Sequence, residues 1–255
     1  MNYNQSKYSM SINEDELEIF SRQLILNDFN EKSFNELQNK KVSIVGLGGI
    51  GCPLAQYLIS CGIKNINLFD DDIIKKNNLN RQTLYTLKEL GEKKTVVAKK
   101  KLLGINSYAN INIYDKKITS NNIGLLKKSS IIIDASDNWI TMRLINNYSQ
   151  KNNIPLLSAS AVGFDIQIAL FENNKKNHLC LECIFPNKKE PNLTRCDTVG
   201  ILGTVTGLAG VLSAQKTINF FMKFNDNNNF LTLVDCKTLS VNHIKIEKKT
   251  NCKYK

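Results

Sequence analysis

The fold of this chain follows from Val42-Ser43-Ile44-Val45-Gly46-Leu47-Gly48-Gly49-Ile50-Gly51, an apolar run followed by a glycine-rich turn. A helix-like segment, 54–59, comes next, so strand, turn and helix occur in the order of a nucleotide-binding βα unit. Glycines let such a turn close tightly and let backbone N–H groups approach a phosphate at the positive end of the helix. The glycines predicted to bind a nucleotide are Gly46, Gly48, Gly49 and Gly51.

An acidic residue, Asp70, ends the next predicted strand, 66–69. It lies about 20 residues beyond the last glycine, where dinucleotide-binding folds place the acid that binds a ribose. A dehydrogenase fits equally well up to this point. The following segment, 71–82, differs because it contains acids, amides and Arg81 beyond the strand's carboxyl end. Since a guanidinium binds phosphate by charge and paired hydrogen bonds, this segment favours phosphoryl or nucleotidyl chemistry over hydride transfer.

Several segments, in the same order, resemble the signatures of the ubiquitin-activating-enzyme-like (ThiF/MoeB/HesA) adenylyltransferases. Residues 70–82, which read D-D-D-I-I-K-K-N-N-L-N-R-Q, resemble the family's D-x-D-x-V-x-x-S-N-L-x-R-Q. Residues 20–26 resemble R-Y-S-R-Q-I-L, and residues 134–143 resemble D-C-T-D-N-x-x-T-R. Residues 180–186 resemble C-Y-R-C-L-F-P. The likeness extends over nearly the whole chain.

The resemblance implies an ATP-dependent adenylylation of the C-terminal Gly-Gly carboxylate of a ubiquitin-like sulfur carrier, with release of pyrophosphate. Segments 158–164 and 195–203 are most similar to the thiamine-pathway branch, which activates the carrier for thiazole synthesis. One alternative is the same reaction on the carrier of molybdopterin synthase. Another is a catalytically inactive member that only binds a carrier, because the residues after the V-G-F motif, Asp165-Ile166, and an incomplete cysteine pattern depart from the family.

The resemblance also implies a role for each matched residue. Asp70 would hold the ribose, with Asp71 or Asp72 able to share that role, and Arg81 and Lys94 would contact the phosphates. Asp137 would help place Mg²⁺. The further nucleotide contacts that it implies are Asn78, Gln82 and Asn138.

Arg22 would act as a finger-like arginine, which in relatives reaches the ATP of the neighbouring subunit, so we expect a homodimer. Some of these residues also have an interpretation without a role in the site. Lys94 occupies a helix start, where a solvated lysine is usual, and Arg22 could form a surface ion pair of little value. Asp137 is expected to cap the helix that begins at Trp139 as well as to place the metal. Arg143 is expected to pair with a carboxylate rather than with substrate.

The cysteine pattern indicates a partial zinc site. Cys180 and Cys183 have the C-x-x-C spacing that places two thiolates on one Zn²⁺. The family supplies a second such pair, but here only Cys252 matches, and Lys255 stands where the fourth thiolate belongs. A zinc held by three cysteines and another group, a lost site and a truncated chain all stay open.

Cys196 is a further candidate, because it follows Arg195 ahead of a predicted helix, a setting that lowers the pKa of a thiol. In relatives a cysteine at this position links covalently to the carrier or its sulfur. An inert loop thiol is the equal alternative.

Composition limits the functional classes. The chain has 255 residues, a formal net charge of +11 and seven cysteines. Its lysines are dispersed rather than interleaved with aromatic residues, so we expect no nucleic acid partner. The polar first residues and the absence of a long apolar stretch lead us to expect a cytoplasmic protein without a membrane partner. Cysteines in that compartment favour thiol or metal roles over disulfides.

Alternating strand and helix patterns predict an α/β, Rossmann-like fold, with a mainly parallel, doubly wound sheet and an antiparallel C-terminal part. We expect one domain over 1–255. Its parts are an N-terminal helix at 14–29, a nucleotide-binding half at 40–160, and a carrier-binding half at 161–250 that contains a crossover loop.

Overall fold

One eight-stranded sheet organises the computed structural model, which describes residues 14–173, 179–185, 200–224, 230–249 and 252. Helices lie on both faces of this sheet. The strands are β1 (Lys41–Val45), β2 (Asn65–Phe69), β3 (Asn110–Tyr114), β4 (Ile131–Asp134), β5 (Leu156–Val162), β6 (Asp165–Phe171), β7 (Phe230–Asp235) and β8 (Ser240–Lys245). The helices are α1 (Glu14–Leu24), α2 (Glu31–Gln38), α3 (Gly51–Ser60), α4 (Lys94–Ile105), α5 (Trp139–Asn152), α6 (Leu181–Ile184) and α7 (Gly203–Met222).

The strand order, β3-β2-β1-β4-β5-β6-β7-β8, confirms the predicted fold class. The first five strands in this order are parallel, and β5 to β8 are antiparallel. From β1 the chain builds outward to β2 and β3, then returns to place β4 on the other side of β1. In open α/β sheets ligands bind where the strand order reverses in this way. The crevice between the carboxyl ends of β1 and β4 is therefore the expected binding position.

The central strands are apolar because both of their faces are covered. Successive residues of a strand point to opposite faces, so Ile44 and Ile133 join one core while Val45 and Ile132 join the other. The first core packs the sheet against α3 and the apolar helix α7. The second includes residues of α5 and α6. Burial on both faces accounts for the nearly continuous apolar runs in the sequence of β1, β2 and β4.

The predicted N-terminal helix at 14–29 is wrong at its C-terminal end. α1 stops at Leu24, and the chain turns because the N–H of Leu26 donates to the carbonyl of Gln23. Asn30 then caps a second helix, α2, its side chain accepting from the N–H of Ser33 at 3.0 Å. Helix α2 was not predicted, since its polar sequence has few apolar positions to show a helical period.

The connection between β3 and β4 contains a single 3₁₀ turn, Ile123–Leu126. Part of the predicted crossover loop folds as the short helix α6, while residues 174–178 and 186–199 lie outside the described part of the chain. None of the helices in the described ranges combines the length and the apolarity that crossing a bilayer requires.

Candidate nucleotide-binding site

The glycine turn between β1 and α3 lies at the point where the strand order reverses. Gly46 has a φ of 96°, and a Cβ there would lie 2.7 Å from the carbonyl oxygen of Ala135, just beyond β4. A Cβ on Gly51 would collide with the carbonyl oxygen of Gly46. A Cβ on Gly49 would lie 2.8 Å from Thr206 on α7. These positions need glycine for close packing of backbone, so the turn has the tight shape that a phosphate-binding loop requires.

Asp70 binds the glycine turn from the end of β2. Its Oδ2 accepts the N–H of Leu47 at 2.7 Å, and its Oδ1 accepts the N–H of Asp72 at 2.9 Å. Burial raises the pKa of Asp70, while the charge of Lys94 and the two backbone donors oppose that rise. The carboxylate is thus already engaged with protein groups, and a ribose contact would use its remaining lone pairs.

Lys94 lies within this acidic cluster at the start of α4. Its Nζ is 2.9 Å from Oδ2 of Asp72 and 4.0 Å from Oδ1 of Asp70. Only 4% of Lys94 is exposed, so the alternative of a solvated lysine is wrong. Although partial burial raises the pKa of Asp72, the hydrogen bond and charge of Lys94 lower it below its ordinary value. The structure therefore brings together the lysine and the two acids that the sequence analysis singled out.

The segment that follows Asp72 carries Arg81. Nη1 of Arg81 donates to the carbonyl of Asn77 at 2.8 Å and to Oδ1 of Asn80 at 3.1 Å, so the guanidinium is held against its own loop. Asn78 is buried and shapes this loop, since its Oδ1 accepts the N–H of Lys75 at 3.0 Å. Its predicted nucleotide contact would have to use its remaining amide groups.

Gln82 offers the most specific sign of a ligand at the turn. Its amide lies beside Gly48, with Nε2 3.8 Å from the position of a Cβ there. Gln82 is 4% exposed, and its Oε1 has no hydrogen-bond partner among the described residues. A buried acceptor without a donor costs free energy. An orphaned acceptor against a glycine turn fits a bound nucleotide, whose hydroxyl and amino groups can donate.

Asp134 was missed as a site residue although its motif was recognised. It ends β4, and its Oδ1 accepts the N–H and hydroxyl of Ser136 at 3.1 and 2.7 Å. Its Oδ2 is buried and has no partner in the described chain. Burial raises the pKa of Asp134 to about 6, despite the hydrogen bonds from Ser136. Only the tertiary structure identifies this acid, because the rise in its pKa comes from burial, which the sequence motif does not show.

The loop after β4 corrects one expectation. Asn138, not Asp137, caps α5, because Oδ1 of Asn138 accepts the N–H of Thr141 at 2.9 Å. Its amide oxygen is therefore already used, which limits its predicted nucleotide contact. Asp137 is exposed at the same crevice, and a carboxylate in that position suits Mg²⁺ beside phosphates.

Arg22 is not brought to the site of its own chain. Next to it, Nε2 of Gln23 donates to the carbonyl of Ser60, at the C-terminal end of α3. The glycine turn lies at the other end of this helix of 10 residues, about 15 Å away. The side chain of Arg22 is exposed and makes no hydrogen bond or ion pair within the described ranges.

Three thiols come together on the opposite face of the sheet. The Sγ atoms of Cys180, Cys183 and Cys252 are separated by 3.6, 3.8 and 3.9 Å. A tetrahedral zinc with Zn–S bonds of about 2.3 Å needs sulfurs about 3.8 Å apart, so the spacing fits a metal. No fourth His, Cys, Asp or Glu completes the cluster within the described residues. An incomplete ligand set predicts a site that is more exposed to solvent. This prediction is wrong, because all three cysteines are buried.

Helix α5 connects the two sites. Its N-terminus lies at the nucleotide crevice, while Nη2 of Arg143 is 3.3 Å from Oε1 of Glu182 on α6, the carboxylate partner that was predicted for it. Oδ1 of Asn146 accepts the N–H of Leu181 at 3.1 Å. Cys196 lies outside the described residues, so its proposed reactivity stays a prediction.

The model of the ThiF family matches residues 20–254 of this chain. The protein named "Adenylyltransferase and sulfurtransferase MOCS3" from Drosophila virilis is 36% identical over 95% of this chain and 54% of its own length. Its counterpart from Culex quinquefasciatus is 33% identical over 94% of this chain and 56% of its own length. The chain thus spans about half the length of these curated relatives.

Solved structures share the fold. "Crystal structure of E. coli MccB + ATP" has a TM-score of 0.77 at 22% identity, covering 95% of this chain and 82% of that one. "Crystal Structure of SeMet PaaA" has a TM-score of 0.78 at 18% identity, covering 98% of this chain and 79% of that one. At these identities the likeness demonstrates the common architecture.

We expect Asp134 to make stability fall as the pH rises from about 4 to about 6. Because its pKa in the folded chain is raised, its favourable contribution is complete below the unfolded pKa and is lost as the pH passes the folded one. A rise in pKa from 3.8 to about 6 corresponds to about 3 kcal/mol. Urea unfolding across this range should show that slope in the wild type and a flatter profile in Asp134→Asn. Equal slopes in both proteins would contradict the assignment.

We expect zinc to bind substoichiometrically and to be readily removed by a chelator, because three thiolates leave one coordination position to another group. Zinc content of protein purified without chelator measures this directly. Cys183→Ser should lower the content further, whereas Cys236→Ser, outside the cluster, should not change it. One tightly held zinc per chain would demonstrate a fourth protein ligand and refute the incomplete site.

Proposed function

Since the chain belongs to the ThiF family, whose model covers residues 20–254, we propose that it adenylylates the C-terminal Gly-Gly carboxylate of a ubiquitin-like sulfur carrier with ATP. The observation that carries this proposal is the meeting of the glycine turn, Asp70 and buried Lys94 where the strand order reverses. Lys94 and Arg81 are cations of the kind that ATP phosphates require.

The carrier of molybdopterin synthase is the better proposal for the substrate. The sequence strings favoured the thiamine pathway, but the relatives at 33% to 37% identity bear the name MOCS3, which belongs with the molybdenum-cofactor alternative. No thiamine role is therefore proposed. Because the chain spans only about half of those relatives, their sulfurtransferase activity is not carried over to it.

In the proposed reaction an oxygen of the carrier's carboxylate attacks the α-phosphorus of ATP. A bond forms between that oxygen and phosphorus, the bond from phosphorus to the bridging oxygen of the β-phosphate breaks, and pyrophosphate leaves with the bonding electrons. Negative charge accumulates on the phosphates, so fixed cations act most strongly in the transition state. Lys94 is held in place by Asp72, which orients its ammonium group without a rearrangement during the reaction.

Some of the hydrogen-bond donors of Arg81 are already used within its own loop. Its described hydrogen bonds use only Nη1, so Nη2 and Nε keep their donors for phosphate oxygens. Asp137 would hold Mg²⁺, which when bound screens the phosphates and favours departure of pyrophosphate. The glycine turn would supply backbone donors, and the orphaned oxygen of Gln82 would accept from the nucleotide.

A homodimer with shared sites is part of the proposal. The end of α1 that carries Arg22 lies beside the C-terminal end of α3, whereas the glycine turn lies at the N-terminal end of α3. This placement supports an action of Arg22 on a second subunit. Helix α1 is firmly placed, because buried Glu16 pairs with Lys64 and Phe20 packs on Phe34 at 4.8 Å between ring centres. A fixed helix can present Arg22 to a partner without first ordering the backbone of this segment.

A carrier-binding member without catalysis is the rival proposal. The candidate phosphate-binding residues that the structure brings together support the enzyme, whereas a cysteine cluster without a fourth ligand among the described residues supports the rival. Carrier-dependent exchange of labelled pyrophosphate into ATP separates them. The enzyme predicts exchange with a Gly-Gly carrier, and carrier binding without exchange would establish the rival. Formation of a covalent link at Cys196 would be tested in the same mixtures by mass spectrometry.

Arg81→Ala should reduce pyrophosphate exchange by at least about a hundredfold, because the loss of one charge-assisted phosphate contact costs about 3 kcal/mol in the transition state. The fold should be retained, since the side chain bonds only to its own loop. Lys100→Ala, a cation on the same helix as Lys94, is the matched control and should leave the rate unchanged. Exchange at the wild-type rate in Arg81→Ala would remove this residue from the phosphate site.

Mixing Arg22→Ala with Asp70→Ala should restore activity that neither variant has alone. In a mixed dimer with a shared site, one of the two sites contains both wild-type groups. The measurement is the exchange rate of purified heterodimers carrying two different affinity tags, with each homodimer as control. If the heterodimers are as inactive as the two homodimers, Arg22 acts within its own subunit or takes no part in the reaction.

A further inference from the structure

The backbone of Leu47, inside the glycine turn, is held at its N–H and at its carbonyl, which belong to two successive peptide groups. Its N–H donates to Oδ2 of Asp70 at 2.7 Å. Its carbonyl oxygen accepts the phenol hydroxyl of Tyr85 at 3.1 Å and the thiol of Cys52 at 3.3 Å. The turn is therefore fixed by side chains from three separate parts of the chain.

Tyr85 belongs to the loop that carries the candidate arginine. Its N–H donates to the carbonyl of Gln82 at 3.1 Å, and the N–H of Gln82 donates to the carbonyl of Asn78 at 2.9 Å. The phenol of Tyr85 thus ties the segment 76–85 to the glycine turn. Only 4% of Tyr85 is exposed, and burial raises the pKa of its hydroxyl far above the ordinary value. The hydroxyl is accordingly neutral at all working pH values and remains a donor.

We propose that Tyr85 is a positioning residue of the nucleotide site, whose hydroxyl fixes the glycine turn relative to the Arg81 loop through the carbonyl of Leu47. The inference rests on the proposed function, because it assigns the two loops to one nucleotide. This buried hydrogen bond then links the glycine turn to the loop that carries the guanidinium. Tyr85 itself need not touch the nucleotide.

The second donor to the same carbonyl cannot replace the phenol. A thiol is a weak hydrogen-bond donor, so Cys52, whose Sγ lies 3.3 Å from the oxygen, holds this carbonyl less strongly than the phenol does. Loss of the hydroxyl would leave the buried carbonyl poorly satisfied and loosen the peptide group between Leu47 and Gly48, because the bond from Asp70 holds only the preceding peptide group. Looser placement of the turn would weaken nucleotide binding by about fivefold to thirtyfold, as expected for one buried hydrogen bond.

The test is Tyr85→Phe in the full chain, which keeps the ring and removes only the hydroxyl. ATP with Mg²⁺ is titrated calorimetrically, and amide hydrogen exchange of the peptide that covers 46–51 is followed without ligand. Tyr148→Phe, which removes a hydroxyl from α5 on the other face of the sheet, is the matched control. We expect weaker ATP binding and faster exchange at 46–51 in Tyr85→Phe, and neither change in the control.

A rescue variant separates positioning from general stability. Cys52→Ser places a stronger hydroxyl donor beside the carbonyl of Leu47, so adding it to Tyr85→Phe should recover part of the ATP affinity and slow the exchange again. Lower thermal stability alone, with wild-type ATP affinity, would overturn the proposal, as would unchanged exchange at 46–51. Failure of the wild type to bind ATP would instead overturn the proposed nucleotide function, and with it the role of this hydroxyl.

Discussion

The backbone of Gly46 lies so close to the carbonyl of Ala135 that no side chain fits between them, and the whole nucleotide site is built around this contact. It joins the ends of β1 and β4, the two strands at which the order of the sheet reverses. From there the turn leads directly into α3, while the N–H of Gly46 donates to the carbonyl of Phe69 at the end of β2. Three parallel strands therefore end at one place, and each delivers a different part of the site.

Electrostatics then decides how these parts behave. Asp70, Asp72 and Lys94 form a compact cluster. The hydrogen bond and charge of the buried lysine outweigh the effect of burial on the pKa of Asp72, whereas its charge opposes that effect only in part at Asp70. No cation of the described chain does the same for Asp134, whose neighbours include the hydroxyl of Ser136 and the carboxylate of Asp137. A buried carboxyl without a counter-charge is costly to ionise. The crevice thus contains two buried acceptor atoms, Oδ2 of Asp134 and Oε1 of Gln82, that have no partner among the described residues. This supports the proposal of a ligand that brings donors or cations.

Helix α5 also connects the nucleotide crevice to the cysteine cluster. Helix α5 begins beside Asp137 and is bonded near its middle to α6, which contains Cys183 and begins directly after Cys180. A change in the packing of α6 would therefore be felt along one rigid helix. The described contacts of the thiols lie in the second core, on the other face of the sheet from the glycine turn, so the cluster is packed within this half of the fold.

Local patterns along the chain were enough to establish the fold class, since apolar strands, a glycine turn and amphipathic helices need no distant contact to be recognised. They also marked Asp70 and the segment that carries Arg81, whereas the role of Lys94 came only from the family resemblance. They could not establish that Lys94 is buried, that Asn138 rather than Asp137 caps α5, or that Arg22 lies away from its own glycine turn. Nor could they reveal Asp134 and Tyr85 as perturbed, buried groups. Burial, orphaned atoms and the distances between loops arise only when remote segments pack together, and that packing belongs to the tertiary structure.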